Sequence, residues 1–203
     1  MTKSFLNSTY GLDSVAKTIE HYDQWASSYE REISENGYAL PKRIAEAAAN
    51  AVTDKGAAVL DFGCGTGLSG LALRAAGFEV IHGMDVSRDM LAQAELKTAY
   101  AKLTRADAGA PPPFEAGDYG LVVACGVIGS GAAPLFVLDQ LAERVTSGGM
   151  LAFSFNDHTL SDPSFEARVV SYGKEGFNLL FQEHGEHLPG IDLKSTVYVL
   201  QRI

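Results

Sequence analysis

Cysteine is scarce in this chain: Cys64 and Cys125 are the only two among 203 residues. Two cysteines cannot build the disulfide framework of a small secreted domain, and with no His pair beside them they do not suggest a zinc site. The expected setting is therefore a reducing, cytoplasmic one, with no metal. Positive charge is also short, with 16 Lys and Arg against 25 Asp and Glu and a net charge of −9. A chain of that sign is repelled by nucleic-acid phosphates and by anionic membrane surfaces. The pair Lys42-Arg43 reads as a solvated helix face rather than a compensating patch. Neither nucleic acid nor membrane is an expected partner. No apolar run is long enough to span a bilayer, and Met1-Thr2-Lys3-Ser4-Phe5-Leu6-Asn7-Ser8 has no apolar signal core. Internal repeats and low-complexity tracts are lacking as well.

What remains is an ordinary globular composition, 46% apolar and 20% charged, at a length that suits one domain. Residues 1–51 are expected to form an N-terminal helical cap and residues 52–203 an α/β core. From about Ser14 to Ala51 the pattern is helical, with Tyr22, Trp25, Ala26 and Tyr29 recurring at spacings of three and four. Glu35-Asn36-Gly37-Tyr38 breaks it, and Pro41 suits the first turn of the next helix.

The period changes at Ala57-Ala58-Val59-Leu60-Asp61-Phe62, a short apolar run of the kind buried on both faces of a parallel sheet. Further strands are expected at Phe78–Met84, Ala101–Ala106, Gly120–Cys125 and Met150–Phe155. Helices are expected at Leu68–Ala76, Arg88–Ala99 with Ser87 as N-cap, Leu135–Val145 and Ser164–Tyr172. Two late strands, Phe177–Glu183 and Thr196–Gln201, flank Pro189-Gly190 and read as a hairpin adding an antiparallel edge strand. The whole is an α/β chain: a doubly wound, mostly parallel, Rossmann-like sheet with helices on both faces. Such a sheet binds its ligand at the carboxyl ends of its strands.

The polar residues with chemical potential fall there. After the first strand, Gly63, Gly65 and Gly67 let a ligand approach the backbone, and the following helix offers free N–H groups that suit an anion. Asp61 at the same loop suits a cation, so a zwitterionic amino-acid group meets both. Asp85 ends the second strand, where a carboxylate can accept from both ribose hydroxyls. Asp107 follows the third and could accept from an adenine amine, with the N–H of Ala108 reaching a ring nitrogen. Met90 is divided between an adenine contact and a core position. Gly65-Thr66-Gly67-Leu68-Ser69-Gly70 also satisfies the dinucleotide pattern G-x-G-x-x-G, which makes an NAD-dependent oxidoreductase the alternative enzyme. Asp61 argues against it, because it would face an anionic pyrophosphate and a dinucleotide has no ammonium to pair with it.

Asp61-Phe62-Gly63-Cys64-Gly65-Thr66-Gly67 resembles the first motif of class I S-adenosylmethionine-dependent methyltransferases. Gly83-Met84-Asp85-Val86-Ser87-Arg88-Asp89-Met90-Leu91 resembles their second-strand motif, and Ala106-Asp107-Ala108 their adenine motif. Tyr22-Asp23-Gln24-Trp25-Ala26-Ser27-Ser28-Tyr29-Glu30 is similar to the N-terminal helix motif of several small-molecule members. Glu35-Asn36-Gly37-Tyr38 with Pro41 is similar to the methyltransferase-like group named after the Williams–Beuren syndrome region. The resemblance implies S-adenosyl-L-methionine as cofactor, S-adenosyl-L-homocysteine as product, and a small-molecule acceptor. It implies cofactor contacts at Asp61, Gly63, Gly65, Thr66 and Gly67, at Asp85, Val86 and Met90, at Asp107 and Ala108, and at Cys125. Tyr29, then Tyr22, are the contacts expected from the N-terminal helix, whose aromatic faces could also favour a sulfonium. The fourth strand departs from the family pattern: Ala124-Cys125-Gly126-Val127 carries neither an Asn-Pro-Pro-aromatic motif nor Pro-Cys. The signatures of amide or exocyclic-amine methylation and of cytosine C5 methylation are therefore missing.

For catalysis, His158 in Asn156-Asp157-His158 is the candidate base and Cys125 a candidate at the reacting centre. His21, His82, His184 and His187 carry no feature that singles them out. The absence of any clear base keeps an inactive cofactor-binding module as a further alternative. A monomer or a homodimer is expected.

Overall fold

The computed structural model describes residues 15–203, with Val15 and Ala16 through their backbone alone. The readings at Met1–Ser8 and Ser14 lie outside the described residues. Seven strands form one sheet: β1 (Val59–Phe62), β2 (Ile81–Asp85), β3 (Lys102–Arg105), β4 (Leu121–Ala124), β5 (Met150–Asn156), β6 (Phe177–Leu188) and β7 (Leu193–Arg202). Their order is β3-β2-β1-β4-β5-β7-β6. The first five are parallel, and β7 enters antiparallel beside β5 with β6 on its outer side. The expected hairpin is present, and its outermost strand is β6.

Eight α-helices surround the sheet: α1 (Val15–Trp25), α2 (Tyr29–Glu35), α3 (Leu40–Ala51), α4 (Leu68–Ala75), α5 (Arg88–Glu95), α6 (Leu135–Ala142), α7 (Asp157–Leu160) and α8 (Pro163–Tyr172). Leu40, Ile44 and Ala48 of α3 and Leu73 of α4 pack with Val59, Ile81, Val123 and Val199 on one face. Leu138 and Leu141 of α6 and Val169 and Tyr172 of α8 cover Leu60, Val122, Phe153 and Tyr198 on the other. The sequence cause is plain in β4, where Leu121-Val122-Val123-Ala124 is buried at every position, as a central parallel strand must be.

Four differences from the expected elements have local reasons. The helical region before Ala51 is broken at residues 26–28 as well as 36–39. Helix α5 stops at Glu95 instead of Ala99, and Thr98 beyond it takes a positive φ of 52°, a backbone state that a β-branched residue in a helix cannot hold. Strand β6 continues past Glu183 to Leu188, because β7 supplies a partner along its length across two register shifts. The short α7 arises where Asn156 Oδ1 accepts the Thr159 N–H at 2.9 Å. The expected cap on α5 is present, with Ser87 Oγ accepting the Met90 N–H at 3.0 Å.

Helices α1 and α2 bring Trp25 and Ile33 against Leu188 and Leu193, near the β6–β7 turn. Asp23 accepts the Ser87 hydroxyl, and Glu30 pairs with Lys97, so both helices are tied to the β2–α5 region. The sheet core itself is anchored by Phe153, fully buried and stacked on Tyr198 with ring centroids 5.1 Å apart. Phe153→Ala is expected to cost about 3–5 kcal/mol in urea unfolding. A loss below about 1 kcal/mol would show that this face is not close-packed.

Candidate active site

The loop after β1 is shaped by three glycines with positive φ: 69° at Gly63, 52° at Gly65 and 96° at Gly67. They differ in what surrounds them. A Cβ on Gly63 would stand 2.3 Å from Val127 Cγ2, and one on Gly67 would stand 3.2 Å from the backbone of Ala94. These two glycines serve packing. A Cβ on Gly65 would meet nothing within 4 Å, so there the loop backbone faces open space that a ligand can enter.

Below the loop, Asp61 is completely buried. Its Oδ2 accepts from the Ser69 hydroxyl at 2.6 Å and from the Tyr100 hydroxyl at 2.7 Å. The Tyr100 hydroxyl in turn accepts the Gly70 N–H at 3.1 Å. Gly70, the residue that completes the dinucleotide-like pattern, is where the Tyr100 ring comes in: a Cβ there would lie 2.3 Å from Tyr100 Cζ. Asp61 Oδ1 is buried with no hydrogen-bond partner among the described residues, and so is the Thr66 hydroxyl. Burial pushes the Asp61 carboxyl up to about 6, against the pull of the two hydroxyl donors.

Asp85 ends β2 and ties the same loop down. Its Oδ2 accepts the Gly65 N–H at 2.8 Å and its Oδ1 the Ser87 N–H at 2.9 Å. Burial raises its pKa, and the backbone donors oppose that rise. Each oxygen keeps a lone pair for a further donor. Val86 is half-buried beside it, and Met90 is buried in the core of α5. Asp107 and Ala108 stand exposed beyond β3, with Asp107 Oδ1 accepting the Gly109 N–H of its own turn at 2.9 Å.

Two cavities meet at this edge of the sheet. One lies over the glycine loop and is lined by Gly63, Cys64, Gly65, Thr66, Ser69 and Cys125, with Tyr29, Tyr38, Pro41 and Leu68. The other lies beyond the ends of β4 and β5, under α1 and α2. Its walls are Tyr22, Trp25, Tyr29, Ile33, Tyr38, Ile128 and Leu188, with Ser154, Asn156, Thr159 and His187 among its polar residues. Tyr29 and Tyr38 line both, so they form a common wall. Trp25 meets Tyr29 edge-on at 4.7 Å. The Tyr29 and Tyr38 hydroxyls interact, and Tyr38 meets the Cys125 thiol. Burial drives the pKa of both phenols and of Cys125 upward, so none of the three ionises near neutral pH.

The structure thus brings Tyr29, Gly63, Gly65, Thr66 and Cys125 together over the loop, with Asp61 beneath them, and places Tyr22 in the neighbouring cavity. His158 is exposed on α7 and lines neither cavity. Cys125 is a buried thiol held protonated, which suits a wall and not a nucleophile. Three contributors escape the sequence reading. Tyr100 lies 39 residues from Asp61 in the chain with no local pattern to mark it. Tyr38 has only the turn before Pro41. His187 carries no feature in the sequence that singles it out, and its burial follows from the unforeseen extension of β6.

The comparisons with known proteins agree with this geometry. The profile described as "Methyltransferase domain" matches residues 29–195. The human Methyltransferase-like protein 27 is 31% identical over 149 residues, covering 72% of this chain and 60% of that protein. The chain thus spans about 60% of that relative's length, less than two thirds. Among solved structures, a TehB-like SAM-dependent methyltransferase from Corynebacterium glutamicum superposes with a TM-score of 0.61, at 19% identity over 91% of this chain and 99% of that one. A SAM-dependent methyltransferase from Geobacter sulfurreducens, solved with S-adenosyl-L-homocysteine, gives a TM-score of 0.56 at 16% identity over 79% and 91%. These two show the fold.

Tyr100→Phe removes one donor from Asp61 and the acceptor of the Gly70 N–H. The expected cost is about 1–3 kcal/mol of stability in denaturant unfolding. Because the folded-state pKa of Asp61 is raised, its protonated form is favoured by folding at low pH, and that contribution is lost as pH rises through about 6. The variant weakens the ionised form further, so its deficit should be larger at pH 8 than at pH 5. An equal deficit at both would show that Asp61 is not the coupled group.

Proposed function

We propose that this chain, which belongs to the class I S-adenosylmethionine-dependent methyltransferases, transfers a methyl group to a small-molecule acceptor held between the glycine loop and helices α1 and α2. The observation that carries the reading is the loop itself: an open backbone at Gly65, in a loop that follows a buried acid with one oxygen unpartnered among the described residues.

The residues fit an amino-acid end of a cofactor. The positive N-terminal end of α4 suits its carboxylate, and Asp61 Oδ1, directly or through a water, suits its ammonium. Asp85 can accept from ribose hydroxyls with the lone pairs left over from Gly65 and Ser87. Asp107, Ala108, Val86 and Met90 are assigned to the nucleoside end, and Asp107 would have to turn from its own loop to meet an adenine amine. S-adenosylmethionine, when bound, supplies a methyl group already activated on a sulfonium. The protein's part is to align the acceptor in line with that methyl and to keep water out. Tyr29 and Tyr38 stand between the two cavities and can present ring faces to positive charge. No charged side chain lines the acceptor cavity among the described residues, which favours a small neutral acceptor over a phosphate or a polyanion.

Transfer of labelled methyl from S-adenosylmethionine into a metabolite extract tests this directly. Cofactor binding with no transfer to any extract component would leave a binding module instead. A second expectation concerns pH. An ammonium near Asp61 favours its ionised form, so affinity for S-adenosylhomocysteine should fall as pH drops below about 6, by up to tenfold per pH unit. In Asp61→Asn, calorimetry should show weaker binding with that slope abolished. A wild-type affinity that is flat from pH 5 to 8 would remove Asp61 from the cofactor site.

A further inference from the structure

His187 is absent from the roles assigned so far, yet its setting is unusual. It comes from the last turn-ward residues of β6 and is only 8% exposed. It lines the acceptor cavity, with its ring centroid 5.4 Å from that of Tyr38. Its Nδ1 is buried with no hydrogen-bond partner among the described residues. Three other polar groups of that cavity already accept from the chain. Ser154 Oγ accepts the Gly126 N–H at 3.0 Å, Asn156 Oδ1 accepts the Thr159 N–H at 2.9 Å, and Thr159 Oγ1 accepts the Ser130 N–H at 3.2 Å. A buried imidazole nitrogen left without a partner is costly, and a ligand hydroxyl donating to it would offset that cost.

The surroundings select the class of ligand. The walls are aromatic and aliphatic, and no Asp, Glu, Lys or Arg lines the cavity among the described residues. The imidazole is itself neutral: burial, with Arg43 beside it, lowers its pKa to about 4, against a smaller opposing pull from Asp157. Arg43 on α3 and Asp157 on α7 act on it through their charge alone and are engaged elsewhere, with Glu183 and with His184, while Tyr38 packs against it as a protonated phenol. A site without charge disfavours carboxylates, phosphates and ammonium groups. It suits a flat, neutral molecule that carries a proton on the atom to be methylated. Such an acceptor must lose that proton during transfer, and a neutral base within the cavity is the group that can take it.

We propose that His187 Nδ1 accepts the proton of a neutral phenol-type acceptor bound between the aromatic wall and the ends of β4 and β5. The proposal rests on the methyltransferase reading above. The acceptor oxygen uses a lone pair to form the new O–CH₃ bond. The S–CH₃ bond breaks with its electron pair left on sulfur as a neutral thioether, and the hydroxyl proton passes to His187 Nδ1 and then to solvent. Charge is conserved, because one sulfonium is lost as one proton is released.

The test uses full-length protein carrying ¹⁵N-labelled histidine, saturated with S-adenosylhomocysteine at pH 7.5, and three probes: phenol, anisole and benzoate. The expected result is that His187 Nδ1 resonates as an unprotonated nitrogen and shifts on addition of phenol. Anisole, which has no proton to donate, should leave that resonance in place, and benzoate should bind at least tenfold more weakly than phenol. Labelled-methyl transfer to phenol should fall at least 100-fold in kcat in both His187→Phe and His187→Asn, with S-adenosylhomocysteine affinity and the thermal midpoint showing that each variant is folded and loaded. A protonated Nδ1, a His187 signal unmoved by phenol, benzoate binding as tightly as phenol, or folded variants with kcat within threefold of wild type would each overturn the proposal. If S-adenosylhomocysteine itself does not bind, the methyltransferase reading fails first and takes this inference with it. If it binds and the histidine result is negative, the inference alone fails.

Discussion

The cofactor end of this molecule depends on one buried carboxylate. Asp61 sits within a core strand where a Val or Ile would pack at lower cost, and its burial shows in a pKa raised to about 6. Ser69 from α4 and Tyr100 from the approach to β3 both donate to one of its oxygens, which fixes the helix and the loop against each other. Gly70 and Gly83 lack side chains where the Tyr100 ring must pass, with a Cβ on Gly83 only 3.0 Å from that ring. The other carboxylate oxygen has no partner among the described residues, at the base of the loop whose backbone is open at Gly65. Stability is given up at the place where a ligand can restore it, the usual pattern for a functional site.

A second constraint is the distribution of charge. Acids cluster under the glycine loop, at Asp61 and Asp85, while the neighbouring cavity has aromatic walls and no ionised lining side chain. Tyr29 and Tyr38 divide the two environments, and their phenols stay protonated. The arrangement sets a cavity suited to cationic and zwitterionic groups beside one suited to a neutral molecule, with aromatic rings at the boundary. Helices α1 and α2 complete that boundary. They are held over the sheet edge by Asp23 on Ser87, by Glu30 on Lys97, and by Trp25 and Ile33 against Leu188 and Leu193.

The α/β alternation, the parallel core strands and the glycine loop are legible in the sequence because each depends on local pattern: apolar runs, a Ser cap, glycines at strand ends. The motif residues Asp61, Gly63, Gly65 and Asp85 are legible for the same reason. Long-range packing is not. Tyr100 bonds to a residue 39 positions earlier, and its own neighbours, Thr98, Ala99 and Ala101, say nothing of that. His158 looks favourable from its place after β5, but the short α7 that Asn156 initiates leaves it exposed. His187 is not singled out by its neighbours in Glu183-His184-Gly185-Glu186-His187, and becomes buried because β6 runs on to Leu188 along β7. The pairing that buries it is tertiary, and a polar edge strand carries little periodicity from which to foresee it.

A zwitterionic cofactor is proposed to lie over the Gly65 backbone with its amino group at Asp61 and its reactive end toward Tyr29 and Tyr38. A crystal structure of the complex with S-adenosylhomocysteine tests it most directly. The expected result is the ligand ammonium within hydrogen-bonding reach of Asp61 Oδ1, about 3 Å away or bridged by one water, and the thioether sulfur facing the wall shared by the two cavities. A ligand bound elsewhere, or one seated on the loop while Asp61 Oδ1 stays without a partner, would contradict it.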